Sequence, residues 1–469
     1  MSVGNVKTGK RITIAFIAFL LAVVILKTFL FRFGNLDEIW HYNLCRGITL
    51  GNLPYRDISL VCVPLYYFVF ALPMFIVRKF IVYRAMEVCL IFSCALILFF
   101  IVKAESGFGY AAVTALVSCL FTDITSYNNL LFLFVLLLYL INKREPTVRR
   151  NVWLGILAAL AIWSRQTSGF IVFLAECIYL GIDFRSRKVG IKGFIPYFVG
   201  FIGVNIVFLI YLISTSTFFA FWDYCFFGLA GYSNVLDGFD IWGIPMVIIA
   251  VLVLAAEFIL LSKKDFLRTI NHILLTLAVL TIAIPTADMT HAVFALFMAL
   301  IPLMAIIKSN IRDSLKPILG WGAFAVLVIT IARGLIPLFS GITFDEQCKE
   351  LDLIPMSGVE SSFVLVRDKN RAYKEQGYDV VVFSSCSAII SIYDGSFNPP
   401  FDLFLVGSFG TTDPVDIVRD VCSKDNMVIV IPDDYVEENW MNPGGVYEYI
   451  VENCTPIDRV GRFVYYIPG

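Results

Sequence analysis

The chain has 469 residues, of which 59% are hydrophobic and only 16% charged, and its mean hydropathy is +0.82. Soluble domains are about half apolar and a quarter charged, so this composition excludes a wholly soluble protein and indicates an integral membrane one. The net charge of −1 is uninformative about nucleic acid, but no basic tract is present to bind it and none is expected as a partner.

Lys7, Lys10 and Arg11 precede an apolar run over 12–31. Its 20 residues suffice to span a bilayer, and no small-residue cleavage site follows, so it reads as an uncleaved anchor. Further apolar runs fall near 64–77, 85–102, 110–122, 128–141, 152–164, 167–182, 194–213, 240–261, 270–287, 291–307 and 317–339. The basic linkers 142–150, 183–192, 262–268 and 308–316, with the N-terminus, are assigned to the cytoplasm. That parity works only if one early run does not span. The 14-residue run 64–77 is the candidate, being short, carrying Pro73 and ending against Arg78 and Lys79. The expected fold is therefore mainly α, a polytopic membrane bundle of about 11 spans, with the N-terminus inside and the C-terminus outside. Residues 32–84 form its first outer loop.

Residues 1–340 read as the membrane domain and 341–469 as a soluble extracytoplasmic α/β domain. Strands are expected at 379–383, 403–406, 427–431 and 463–467. A helix is expected from the N-cap Asp413, with Pro414 at its first position, to about Ser423, and another over 445–453. The 11 cysteines include no CxxC pair or Cys/His cluster, which argues against zinc. Cys348, Cys386, Cys422 and Cys454 lie in the outer domain, where four cysteines allow three pairings or remain as thiols.

This topology gathers the reactive polar residues on the outer face. Asp37 and Glu38 follow the first span, and on a short helix over 36–48 their side chains diverge by about 100°. One of them is a candidate general base for an acceptor hydroxyl; the plainer reading is a solvated helix end. Arg165-Gln166 interrupts an otherwise continuous apolar stretch over 152–182. A cation there suits a phosphate, with its forked donors, or marks an outer turn. Arg46, Arg56, Arg78, Lys79 and Arg84 place positive charge outside, as an anionic lipid substrate or ordinary headgroups would favour. Asp288 and His291 suit substrate contact or a capped helical turn. Phe221-Trp222-Asp223-Tyr224 suits sugar stacking or an aromatic belt. Asp57 and Asp123 are candidates to contact a divalent cation, though no ligand spacing argues for one.

Asp37-Glu38 on the first outer loop, then Gly51-x-x-Pro54-Tyr55-Arg56-Asp57 and Pro64-Leu65-Tyr66-Tyr67, resembles the GT-C superfamily of lipid-dependent glycosyltransferases. The branch it looks most like comprises the bacterial aminoarabinose transferases and protein O-mannosyltransferases. Tyr127-Asn128, Gly155 to Arg165-Gln166 and the turn at 288–291 extend the resemblance over roughly residues 10–340. The resemblance implies a polyprenyl- or dolichyl-phosphate sugar donor and an inverting transfer outside the cytoplasm. It implies Asp37 as base with Glu38 beside it, Asp57 as the loop's second acid, and Arg165 near the donor phosphate. Arg56, Tyr66, Tyr127, Gln166 and His291 complete the expected substrate contacts, and the first loop is expected to form juxtamembrane helices. Relatives often carry an acid or His followed by Lys before the proline; here Cys62 and Val63 stand there, so that phosphate contact must come from elsewhere. The acceptor would be a cell-envelope glycan, lipid or protein. The alternative from another class is a transporter or flippase of a lipid-linked glycan, which predicts ionisable residues deep within spans. Few are present: Lys27, Glu87, Glu176, Glu257 and Arg333.

Overall fold

A computed structural model describes residues 3–30, 36–122, 127–187, 191–233, 241, 243–284, 286–310, 361–398, 401–433 and 443–469. Its helices are α1 (Val3–Leu30), α2 (Leu36–Thr49), α3 (Leu65–Met74), α4 (Phe80–Ser106), α5 (Phe108–Phe121), α6 (Asn128–Asn142) and α7 (Val148–Ser164). Then follow α8 (Gln166–Ser186), α9 (Phe194–Ser214), α10 (Phe218–Trp222), α11 (Leu229–Ser233), α12 (Gly243–Leu261), α13 (Phe266–Leu280) and α14 (Met289–Asn310). Among the described residues, seven helices are long and apolar enough to cross a membrane. The runs at 110–122, 128–141 and 152–164 form helices of 14, 15 and 17 residues. The run at 317–339 lies outside the described residues, as do Asp123, Arg333 and Cys348.

The chain divides into two compact units. One comprises residues 1–31, 84–207 and 238–342; the other comprises 32–83, 208–237 and 343–469. In the first unit, helices approach through glycine. A methyl group built at Gly155 would land on the Tyr197 carbonyl oxygen, and one at Gly200 on that of Val152, so α7 and α9 meet backbone to backbone. Without a hydrophobic drive between helices in lipid, such close contact supplies the packing energy. Gly155→Leu should therefore destabilise the protein by about 2–3 kcal/mol or more, read as a lower melting midpoint in detergent.

Several charges within the helices of this unit face protein. Lys27 Nζ donates to the carbonyls of Cys119 (2.8 Å), Leu120 (3.1 Å) and Thr122. Glu257 meets His272 Nδ1 at 2.7 Å, and Asn142 Nδ2 donates to Glu176 at 2.8 Å. Several basic residues of the linkers have buried acidic partners. Arg150 pairs with Asp183 at 3.1 Å, and Glu105 takes Lys143 at 2.6 Å together with Arg268.

The second unit contains α15 (Ser361–Glu375), β1 (Asp379–Val382), α16 (Ser387–Asp394), α17 (Pro414–Cys422), β2 (Met427–Pro432), α18 (Val446–Asn453), β3 (Cys454–Val460) and β4 (Phe463–Pro468). The sheet order is β1-β2-β4-β3, with β1 parallel to β2 and the other pairs antiparallel. All six residues of β2 are buried, as a central strand covered on both faces requires. Asp413 caps α17 by accepting from Val415 N at 2.9 Å, with Pro414 at the first turn.

One expectation for this segment needs correction. Leu403–Val406 is not a strand but a run of turns held by Ser408, whose hydroxyl donates to Leu405 O at 2.7 Å while Phe404 enters the core. A strand not expected from the sequence, β3, pairs with β4 on the side away from β2, at the sheet edge, where Pro456 sits beside a register shift.

Candidate functional site

α2 carries the two candidate bases, and burial separates them. Asp37 is exposed, whereas Glu38 is fully buried, as is nearly every residue from there to Thr49. The helix is buried because three kinds of contact close on it within the second unit. Toward α3, the Tyr67 hydroxyl meets His41 Nδ1 at 3.0 Å, and Tyr66 packs edge-on to the same imidazole at 5.4 Å. Toward the C-terminal segment, Trp40 Nε1 donates to Ser385 O (3.1 Å) and Asn43 Nδ2 to Asp402 Oδ2 (2.9 Å). Asp402 also accepts from Ser391 Oγ (2.5 Å) and Asn398 N (2.9 Å). Arg46 Nη2 donates to Asn43 Oδ1 (2.9 Å), Ser391 O (3.4 Å) and Ser396 O. Finally, Gly47 leaves room for the Phe397 ring, which a Cβ there would strike.

Burial holds the His41 imidazole down at about 3 from 6.5, so it is neutral in the fold. Below pH 6.5 the unfolded chain takes up a proton that the folded chain refuses until about pH 3. Stability should therefore fall as pH drops through this window, by roughly 4–5 kcal/mol over its full span. Melting curves between pH 7 and 4 check this: the wild-type midpoint should fall with acid and that of His41→Gln should fall less.

The loop after α2 is a tight turn with Tyr55 at φ 69°. Tyr55 is buried, its hydroxyl donates to Cys62 O at 2.8 Å, and its ring meets Phe221 edge-on at 5.3 Å. Arg56 and Asp57 pair with each other in two hydrogen bonds (3.0 and 2.8 Å), and Leu53 N donates to Asp57 at 2.8 Å. The Arg56 bond, with the Leu53 N–H, holds the Asp57 carboxyl below its usual value against partial burial. Tyr66 is wholly buried, its hydroxyl 2.9 Å from that of Tyr83 and its ring stacked on Phe70. Of the other arginines in the stretch 32–84, Arg78 donates to Thr49 Oγ1 (2.8 Å) and Thr49 O (2.7 Å). Arg84 is buried and donates to Thr28 O. Among the described residues no group of three or more His, Cys, Asp or Glu is placed to hold a metal ion.

The segment around Phe221-Trp222-Asp223-Tyr224 becomes a single wide turn, Asp223–Gly228, between α10 and α11. Asp223 accepts from Thr411 N at 3.0 Å, and Gly228 lies against the Gly407 carbonyl. Cys225 Sγ lies 3.5 Å from the Tyr55 hydroxyl.

Tyr127, Arg165, Gln166 and His291 belong to the first unit. The interruption at Arg165 is a single extended residue (φ −155°, ψ 110°) between α7 and α8. Its guanidinium donates to Asn128 Oδ1 and to Ile282 O (3.1 Å), and lies over the Tyr127 ring at 5.7 Å. Arg165 thus ties the start of α6 to the turn after α13, with buried Gln166 opening α8 beside it. Asp288 caps α14, accepting from His291 N and Thr290 Oγ1 and meeting His291 Nδ1, each at 2.8 Å. Burial opposes ionisation of Asp288, but these His291 and Thr290 bonds hold its carboxyl below the usual value.

The expected residues therefore fall into two sets. Asp37, Glu38, Arg56, Asp57 and Tyr66 belong to the second unit; Tyr127, Arg165, Gln166 and His291 belong to the first. Sequence reasoning missed Asn43 and Asp402, whose bond joins residues 359 positions apart and leaves no local signal.

No protein-family model matches this chain, and no curated protein does. Solved structures do. ArnT from Cupriavidus metallidurans in the apo state is similar with a TM-score of 0.62 over 98% of each chain, at 12% identity. The same protein bound to undecaprenyl phosphate is similar with a TM-score of 0.51 over 97% of each chain, also at 12% identity. The chain thus shares the fold of ArnT, a likeness in line with the resemblance carried by the first-loop motifs.

Proposed function

We propose that this protein is an integral membrane glycosyltransferase that moves a monosaccharide from a polyprenyl-phosphate donor to a cell-envelope glycan, lipid or protein. The transfer takes place on the outer face of the membrane and inverts the anomeric centre. The observation that carries this reading is the likeness to ArnT over 98% of both chains, one of whose structures holds undecaprenyl phosphate. Asp37, exposed on α2, accepts the proton of the acceptor hydroxyl as its oxygen attacks the anomeric carbon. The lipid phosphate departs with the electrons of the broken bond. Glu38, one position on, is fully buried.

Arg165 is proposed separately as the ligand of the donor phosphate. A guanidinium has five N–H donors, and the bonds to Asn128 and Ile282 leave others for an anionic oxygen. Arg165→Lys would keep the charge and lose the fork, so it should raise the donor KM more than it lowers kcat.

Mass spectrometry of surface glycans and lipid-linked sugars, with the gene intact and deleted, tests the whole reading. Loss of one sugar from an envelope component, with build-up of its polyprenyl-phosphate form, is expected. Identical profiles would sink the proposal.

A further inference from the structure

Of the cysteines in the C-terminal segment, Cys386 is buried with Arg462 Nη2 against its sulfur at 3.2 Å. Cys422 and Cys454 stand sulfur to sulfur at 3.6 Å, both as free thiols. Cys422 is the last residue of α17 and Cys454 the first of β3, 32 positions later. Both elements are fixed from behind, α17 by buried Val418 and Val421 and β3 by its ladder to β4. The two sulfurs are thus presented to each other by the fold rather than by a chance of sequence. Of the three pairings the sequence left open, this one alone has its sulfurs in contact among the described residues.

We propose that Cys422 and Cys454 are a covalent modification site, joined in the working enzyme by a disulfide that ties α17 to the edge strand β3. The inference rests on the extracytoplasmic placement of this segment, because a reducing cytosol would keep the pair as thiols. The co-reactant is a disulfide oxidant, either an oxidoreductase or a small disulfide. Cys422 is the more exposed of the two and attacks first: its thiolate takes one oxidant sulfur and the other leaves as a thiol. Buried Cys454 then attacks the Cys422 sulfur and expels the second oxidant thiol. Two electrons pass to the oxidant, and the two protons given up by the cysteines end on its thiols.

The test uses the full chain in its native membrane. Free thiols are blocked with N-ethylmaleimide, the protein is digested without reduction, and the peptides are weighed. The expected product is the Cys422 and Cys454 peptides joined, at their summed mass less two hydrogens, and lost on reduction. In Cys454→Ser, Cys422 should become alkylated, whereas in the wild type it should not. Alkylation of both cysteines in the wild type would overturn the proposal.

A second arm reads placement alone: Asp416→Cys, an exposed position of α17, is treated in intact cells with a membrane-impermeant maleimide. Labelling with a linked pair supports both inferences. Labelling with free Cys422 and Cys454 removes the disulfide and leaves the outer placement standing. Labelling only after the membrane is opened removes both.

Discussion

Asp37→Ala should lower sugar transfer by about 10²–10⁴-fold, the usual contribution of a positioned general base. The donor KM should change little, because a base in the proposed role acts on the acceptor proton and not on the donor phosphate. The burial pattern of α2 makes this a clean experiment. Asp37 is exposed, so its loss should change stability by no more than about 0.5 kcal/mol, as is usual for surface substitutions. Glu38 is fully buried, so Glu38→Ala leaves a cavity in the packing around α2 and should lower the melting midpoint where Asp37→Ala does not. Asp37→Asn is the sharper variant, keeping size and polarity while removing the base. Transfer assays in membranes supplied with donor, beside melting curves, check it. Wild-type turnover by Asp37→Asn would move the base elsewhere.

The second large effect is expected from Asp402→Ala. This carboxylate is 3% exposed and accepts from Ser391, Asn398 and Asn43. Removing it strands those buried donors, each of which costs about 1–3 kcal/mol when left without a partner. A loss of about 3 kcal/mol or more is expected, together with loss of transfer, since Asn43 lies on the helix that carries Asp37. Asp402→Asn keeps one acceptor oxygen and should fall between. Thermal melts give the first quantity and membrane transfer assays the second. An Asp402→Ala enzyme with normal stability would show that α2 does not depend on this anchor.

How much was legible in the sequence varied with the range of the interaction. Membrane helices were found because hydropathy is local, though polar ends extended them. α7 starts at Val148, before the apolar run at 152, because Thr147 caps it by accepting from Arg150 N. The break at Arg165-Gln166 was visible as two polar residues in apolar surroundings. The short apolar stretch Leu403–Val406 misled, because a run of four fits a buried turn as well as a buried strand. β3 was missed because Pro456, Asp458 and Arg459 obscure its alternation. The polar positions of α2 gave no hint of burial, since Asn43 and Arg46 find their partners in a segment made far later.

That separation sets a clock for biosynthesis. Chains are made at about 5–20 residues per second. The 359 positions between Asn43 and Asp402 therefore take on the order of 20–70 s to appear. Throughout that interval Trp40, Asn43 and Arg46 have emerged from the ribosome without Ser385, Asp402 and Ser396. The first loop must stay open, or be held by a chaperone, while the membrane helices insert. A ribosome that stalls before Asp402 leaves a chain with every described membrane helix made and α2 without its partners. The burial of α2 is thereby withheld until translation is nearly complete.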